Sequence, residues 1–193
     1  MIKYILIALY IIIILPACIE AQPNLVPNSS FENYSTCPLT SSQIDYAIGW
    51  FQPNTYGSST DYYNSCTPWN YVSVPSNSLG FQYAKSGSAY AGFCLYWASA
   101  ANFREYLEVE LTDTMIAGEQ YCVSFYVSLA DLMQYGINRI GAYISGNPVY
   151  YNSPAYQPIL VQPQVENTSG ILSDTSNWTL ISGVYVANGG EKY

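Results

Sequence analysis

Residues 121–130 read Tyr121-Cys122-Val123-Ser124-Phe125-Tyr126-Val127-Ser128-Leu129-Ala130. Val123, Phe125, Val127 and Leu129 alternate with Cys122, Ser124, Tyr126 and Ser128. A period of two over that length marks a strand with one face in a core and the other wet or lightly covered. Residues 104–111 repeat the pattern: Leu107, Val109 and Leu111 share one face, and Tyr106, Glu108 and Glu110 share the other. Ala117-Gly118-Glu119 supplies a turn between the two runs. Half-buried strands joined this closely imply an all-β, two-sheet antiparallel sandwich.

Working outward, short β-branched and aromatic runs recur between clusters of Gly, Pro, Asn and Ser. Strands are predicted at 24–26, 47–51, 89–96, 104–111, 121–130, 139–144 and 178–187. Trp50 and Trp178 fall in or at the start of apolar strands and read as core. There is no internal repeat, no heptad pattern and no long amphipathic helix. Two stretches, 32–82 and 145–170, are long and irregular, the second carrying Pro148, Pro154, Pro158 and Pro163. Long ordered loops of this kind often carry function, so both are candidate binding rims. Asn188-Gly189-Gly190 reads as a hairpin turn with a new strand starting behind it. The expected sandwich therefore lacks its last strand or strands in this chain.

Residues 1–21 read as an export leader. Lys3 gives a positive start, Tyr4 to Leu15 an apolar run too short for a membrane span, and Ala17 to Ala21 a small-residue cleavage region. Cleavage after Ala21 leaves one domain over 22–193, long enough for a real core, with no transmembrane segment in the mature chain. An alternative route is also written here: Leu15-Pro16-Ala17-Cys18 is similar to a lipobox, in which Cys18 would be lipidated. The expected location is secreted or cell-surface.

Removing Lys3 and Glu20 leaves four basic and twelve acidic side chains. Nucleic acid needs clustered Lys and Arg, so this balance argues against it as a partner. Only 9% of the chain is charged while 21 residues are tyrosine, a surface chemistry suited to neutral polar partners outside the cell. Four cysteines follow the leader: Cys37, Cys66, Cys94 and Cys122. Three pairings are open. Cys37 and Cys66 both lie in turn-rich sequence, which favours that bridge, and closing such a loop stabilises by roughly 3–4 kcal/mol in the chain-entropy view. Cys94 and Cys122 sit in strand-like runs, where free buried thiols and a second bridge are equal alternatives.

The chain contains no histidine. That removes Ser-His-Asp and Cys-His catalysis and most zinc sites. An enzyme here would have to run on carboxylates, as many glycoside hydrolases do. Glu108 and Glu110, about 7 Å apart on one strand face by strand rise, are the candidate pair, against the plainer reading of a solvated face. Glu105 beside Arg104 reads as one half of an ion pair at a sheet edge, and Asp131 as a cap or turn residue. The other resource is aromatic. Tyr and Trp faces stack on sugar rings while amides and carboxylates take the hydroxyls. Tyr62, Trp69 and Tyr71 in the first long stretch, with Trp97 behind Tyr96, are the candidate ligand-binding residues. Asn28, Asn33, Asn167 and Asn177 fit the Asn-x-Ser/Thr glycosylation pattern.

Asn24-Leu25-Val26-Pro27-Asn28 followed by Phe31-Glu32 resembles the opening of galactose-binding-like jelly rolls, which include carbohydrate-binding modules of the family-four and family-nine kind. Trp178-Thr179 with Ser182-Gly183-Val184-Tyr185 is similar to the penultimate part of such modules. Asp61-Tyr62-Tyr63-Asn64-Ser65-Cys66, Ala89-Tyr90-Ala91-Gly92, Arg104-Glu105-Tyr106-Leu107 and Val127-Ser128-Leu129-Ala130-Asp131 resemble the N-terminal domain of exported Bacteroidetes surface proteins. The resemblance covers most of 24–193. It implies a jelly-roll sandwich and a non-catalytic binding function, most plausibly for carbohydrate. It also implies a structural calcium, with Glu32 as a ligand and its partner carboxylate on a closing strand. The alternative is a structural or adhesive cell-envelope domain that contacts protein; a carboxylate-only glycoside hydrolase is the remote one. Fold likeness alone does not assign any of these.

Overall fold

A computed structural model describes residues 23–56, 59–100, 102–149, 151–154 and 157–193. The leader and Cys18 lie outside the described residues. The described residues are all-β apart from one 3-10 turn at Ile44–Tyr46. Twelve strands follow in order: β1 (Trp50–Phe51), β2 (Asn54–Tyr56), β3 (Asp61–Asn64), β4 (Ser76–Asn77), β5 (Gly80–Phe81), β6 (Ala89–Gly92), β7 (Glu108–Val109), β8 (Gln120–Val127), β9 (Gly141–Ala142), β10 (Tyr151–Pro154), β11 (Val165–Glu166) and β12 (Thr179–Val186). They pair as β1–β7, β3–β6, β4–β5, β8–β12 and β9–β11, all antiparallel, and β2–β10, parallel.

The backbone of the domain is the β8–β12 ribbon, eight matched pairs from Thr179↔Val127 to Val186↔Gln120. Its alternation is the one written in the sequence. Tyr121, Val123, Phe125 and Val127 turn inward, opposite Ile181 and Tyr185, while Tyr126, Leu180, Val184 and Val186 face out. Ile116–Glu119 makes the expected turn, with Glu119 N–H donating to the Ile116 carbonyl at 3.1 Å and Gly118 at φ +81°. The strand stops at Val127 rather than at 130 because the Leu129 N–H is taken by Asp174 at 2.9 Å.

Three packed clusters make the core. Leu111, Met115, Ile144, Tyr185 and Ala187 close under the ribbon, with Leu25 and Val123 against them. Ile44, Ala47, Tyr62 and Ala89 form a second, joined by Phe31, Trp50 and Leu107. Tyr63, Val72 and Val74 form a third, joined by Leu79 and Tyr90. Trp50 therefore packs as expected, stacked on Phe31 at 4.7 Å. The Cys37–Cys66 disulfide is formed, with Cα atoms 5.9 Å apart. Cys94 is a free thiol, so no Cys94–Cys122 bridge is made.

Several expectations are corrected. Residues 24–26 are not a strand. Pro27 is followed by positive φ at Asn28 (+47°) and Phe31 (+62°), which turn the chain back on itself. The turn is held by Asn28, whose Nδ2 donates to the Asn33 and Ile48 carbonyls at 2.8 and 3.0 Å and whose Oδ1 accepts from Asn33 N–H at 2.9 Å. Residues 104–111 do not alternate as read: only Glu108–Val109 is strand, and Glu108 is buried. Of the face read as wet, Glu110 is exposed as expected, but Tyr106 and Glu108 are covered by the second long stretch. Val149 N–H donates to Glu108 Oε1 at 2.8 Å, and Ile159 N–H to the Tyr106 hydroxyl at 2.9 Å. The two long stretches are also less irregular than read, since 32–82 carries β1–β5 and 145–170 carries β10 and β11.

Behind the turn at 188–190 the chain forms no hairpin strand on β12; it runs between two other segments instead. Lys192 bonds Leu111 on one side and Ser145 on the other, each at 2.8 Å. Gly189 and Gly190 take φ values of +96° and +94° to make the turn before it.

Candidate functional site

The four ligand-binding candidates do not converge. Tyr62 is fully buried (0% exposed) and cannot offer a ring face to a ligand. Its hydroxyl donates to the Phe31 carbonyl at 2.7 Å and accepts from Asn64 Nδ2 at 2.6 Å; burial pushes it up to about 12. The Asp61-Tyr62-Tyr63-Asn64 strand pairs with β6 at the domain's centre, so its aromatics are consumed by packing. Trp69 (61% exposed) and Tyr71 are open and share one loop. Trp97 is open on another loop, edge-on to Phe103 at 5.3 Å.

Exposed aromatic surface is instead concentrated around the β4–β5 hairpin. Phe81 and Tyr83, 51% and 68% exposed, stand edge to face with ring centres 5.2 Å apart. Three contacts fix the backbone that carries them. Trp178 Nε1 donates to the Tyr83 carbonyl at 2.8 Å. Asp131 Oδ2 accepts the Phe81 N–H at 2.8 Å, and Leu132 N–H donates to the Leu79 carbonyl at 3.1 Å. Behind them Trp178 meets Tyr90 edge-on at 5.6 Å, and Tyr90 stacks on buried Tyr63 at 5.1 Å, which ties the exposed pair to the third core cluster. Burial pushes the Tyr90 hydroxyl up to about 12.

The rim continues on both sides. Lys85 Nζ lies 4.4 Å above the exposed Tyr126 ring. Beyond Asp131, exposed Tyr135 meets exposed Tyr96 at 5.2 Å. Tyr71 reaches the hairpin through its carbonyl, which accepts the Ser78 N–H at 3.1 Å. Sequence reading found Tyr71 but missed Phe81 and Tyr83, and took Asp131 for a cap. The available signal was Leu79-Gly80-Phe81-Gln82-Tyr83, two rings on the same side of a strand-like run beginning at a glycine. Its partner fifty residues away carried no local mark.

The carboxylates are placed for structure. Glu105 is 2% exposed. Its Oε1 accepts from Ser59 N–H and Oγ, and its Oε2 from Cys94 N–H, each at 2.6 Å. It is thus not paired with Arg104, whose Nη1 donates to the Phe103 carbonyl. Glu108 and Glu110 do not form a facing pair. Glu108 is 9% exposed with Oε2 lacking any partner, and burial pushes its carboxyl above the usual range. Glu110 is on the surface, paired with Lys192 at 2.6 Å, which holds it below that range.

Glu32 accepts the Ser88 N–H at 2.7 Å and lies against Gly87, where a Cβ would sit 2.3 Å from its Oε1. It braces that turn. Calcium asks for six to eight oxygen ligands, and the described residues hold no group of three or more acidic, cysteine or histidine side chains. The calcium site that the resemblance implies would therefore have to rest on Glu32 and backbone carbonyls rather than on a cluster of acidic side chains. Of the four glycosylation patterns, Asn28 and Asn167 have both Nδ2 hydrogens committed to carbonyls, whereas Asn33 and Asn177 are exposed.

A shallow cleft of about 630 Å³ is lined by Tyr143, Asn147, Pro148, Gln164, Asn188 and Glu191 among others. Glu191 is buried there. Desolvation works against its charge, but donors from Tyr185 Oη (2.5 Å), Asn188 N–H (2.7 Å) and Gly189 N–H (2.8 Å) outweigh it and hold the carboxyl below its usual range. A carboxylate so fully used by its own turn has little left for chemistry. Comparison with known proteins finds no matching family model, no matching curated protein and no matching solved structure.

Proposed function

We propose that this chain is a non-catalytic extracellular binding module of jelly-roll kind that recognises carbohydrate through the aromatic rim around the β4–β5 hairpin. The observation that carries the reading is the Phe81–Tyr83 pair: two rings left open to solvent on a backbone pinned by Trp178 and Asp131. Exposed rings on a pinned backbone beside polar groups suit stacking on the apolar face of a sugar, because little backbone freedom remains to be lost on binding. The absence of histidine and the structural use of Glu105 and Glu191 favour binding over catalysis. Secretion or surface attachment rests on the leader-like residues 1–21. Among the described residues no helix is long and apolar enough to cross a membrane.

The test is a glycan array on the purified chain, with Tyr83→Ala and Phe81→Ala beside Trp69→Ala and Trp97→Ala. The expected result is loss of binding in the first pair and retention in the second. Binding that survives Tyr83→Ala would move the site elsewhere; no binding to any glycan would remove the reading. One observation favours the alternative of an adhesive or structural cell-envelope domain: the outer face of the β8–β12 ribbon shows Leu180, Val184, Val186 and Tyr126 to solvent. Under that reading Leu180→Lys with Val184→Lys would abolish attachment to the cell envelope while the hairpin variants would not.

A further inference from the structure

We infer that Asp131 is the specificity-determining polar group of the aromatic rim, and that the rim takes uncharged, hydroxyl-rich glycans and rejects anionic ones. The inference rests on the glycan-binding reading and narrows its ligand class.

The Asp131 position is built rather than incidental. Gly80 has φ +134° and no side chain, and a Cβ there would sit 2.6 Å from both Asp131 Cβ and Asp131 Oδ2. The carboxylate therefore lies on bare backbone, where only glycine lets it reach the Phe81 N–H. Leu132 N–H to the Leu79 carbonyl closes the same junction from the next residue. Two segments fifty residues apart are thus locked together beneath the Phe81 ring. Only Oδ2 is used by that lock; no described residue donates to Oδ1, and Asp131 is solvent-exposed. Asp131 binds the backbone of Phe81 itself, so its free oxygen belongs to the same junction as the exposed pair, and a carboxylate accepts hydroxyl protons more strongly than a neutral amide does.

The charges of the molecule point the same way. The described cations are Lys85, Arg104, Arg139 and Lys192, each on a different segment. Arg139 is forked onto Glu166, with contacts from 2.9 to 3.2 Å, and Lys192 is paired with Glu110. Arg104 donates to its neighbour's carbonyl, and Lys85 lies over Tyr126 as the single cation at the rim. Uronate, sulfate and phosphate groups are held by converging cations, and no two converge among the described residues. With net charge −8 over the whole chain, long-range attraction also disfavours a polyanion.

The experiment uses the full secreted chain. Neutral oligosaccharides (cello-, xylo-, manno- and chito-hexaose) and anionic polymers (polygalacturonate, alginate, heparin) are compared by calorimetry in 0.05 M and 0.5 M NaCl, on wild type, Asp131→Asn and Tyr83→Ala. The expected result is binding confined to neutral ligands, changing less than about twofold with salt. Asp131→Asn, which keeps an oxygen for the Phe81 N–H, should weaken it about tenfold, the size of one charge-assisted hydrogen bond made neutral, with an unchanged melting temperature. Preference for an anionic polymer, weakened by salt, overturns the inference and leaves glycan binding standing. So does full affinity in Asp131→Asn alongside loss in Tyr83→Ala. Failure of wild type to bind any member of the panel removes the glycan reading itself.

Discussion

The β8–β12 ribbon and the region from Asn24 to Leu107 solve the same problem by different means. In the ribbon, eight consecutive pairs satisfy the backbone, and the inward row of Tyr121, Val123, Phe125, Ile181 and Tyr185 needs only to be apolar or hydrogen-bonded at its tip. In the N-terminal region no strand is longer than four residues. There the loop N–H groups are satisfied by side chains: Asn28 for Asn33, Glu32 for Ser88, Asp61 for Ser42, Glu105 for Ser59 and Cys94. A buried N–H without a partner costs about 1–3 kcal/mol, so a short-stranded region must import acceptors. The lesson is that in a short-stranded region carboxylates and amides stand in for the missing strand partners.

Substitutions can break that contrast, the largest effect first. Glu105→Ala strips the acceptors from two backbone N–H groups and a hydroxyl in a closed site, and should cost about 4 kcal/mol in urea unfolding. Glu105→Gln should recover part of that loss; equal costs for the two would mean the carboxylate's hydrogen bonds do not matter. Replacing Cys37 and Cys66 together by Ser opens a loop of 29 residues and should cost about 3.5 kcal/mol. In the ribbon, Ile181→Ala removes a buried side chain and should cost about 3 kcal/mol through lost burial and a cavity, with the pairing of β8 and β12 retained in backbone amide protection. A loss of that protection would show that the ribbon too depends on single side chains.

The acids give a subtler comparison. Glu108 is held above the ordinary glutamate value of 4.5 because burial desolvates its carboxyl, and among the described residues Oε2 has no partner. Its raised folded-state value means the native state binds the proton more tightly. Its presence therefore costs stability progressively as pH rises above 4.5. Glu191 is held below 4.5, so its contribution is present above that value and is lost as pH falls through its lower folded-state value. Melting curves across pH 3–8 should show Glu108→Gln gaining on wild type as pH rises. Glu191→Gln should trail wild type at pH 7 and converge with it at the acid end. Parallel curves for either variant would refute its assignment. The smallest effect is at the rim: Tyr83→Ala should change stability by no more than about 0.5 kcal/mol while removing ligand binding, since that ring packs mainly on Phe81.

Much of the architecture was legible. Every strand predicted between residues 47 and 187 contains or overlaps an observed one, and the Cys37–Cys66 bridge follows from two cysteines in turn-rich loops. Residues 24–26 were misread because a conserved-looking strand opening is, with Pro27 and positive φ at Asn28, a turn. Residues 104–111 were misread because alternation reports which side chains differ, not what covers them. Glu108 and Tyr106 look wet until the 145–160 segment crosses over them. Tyr62 failed as a ligand residue for the converse reason: a tyrosine-rich strand with polar neighbours looks like surface, and pairing with β6 put it in the centre.

By itself the sequence determined the all-β character, the inward and outward faces of β8 and β12, the turns at Gly118 and Gly189, and the exclusion of histidine-based chemistry. These depend on period, φ preference and residue type, which act over a few positions. Only the tertiary structure decided which aromatics stay open and which carboxylates are spent. The segment that carries the exposed Phe81 and Tyr83 rings is held by backbone hydrogen bonds to Asp131 and Trp178, fifty and nearly a hundred residues away. Contacts of that separation are set by which loops cross which strands, and no local pattern records the crossing.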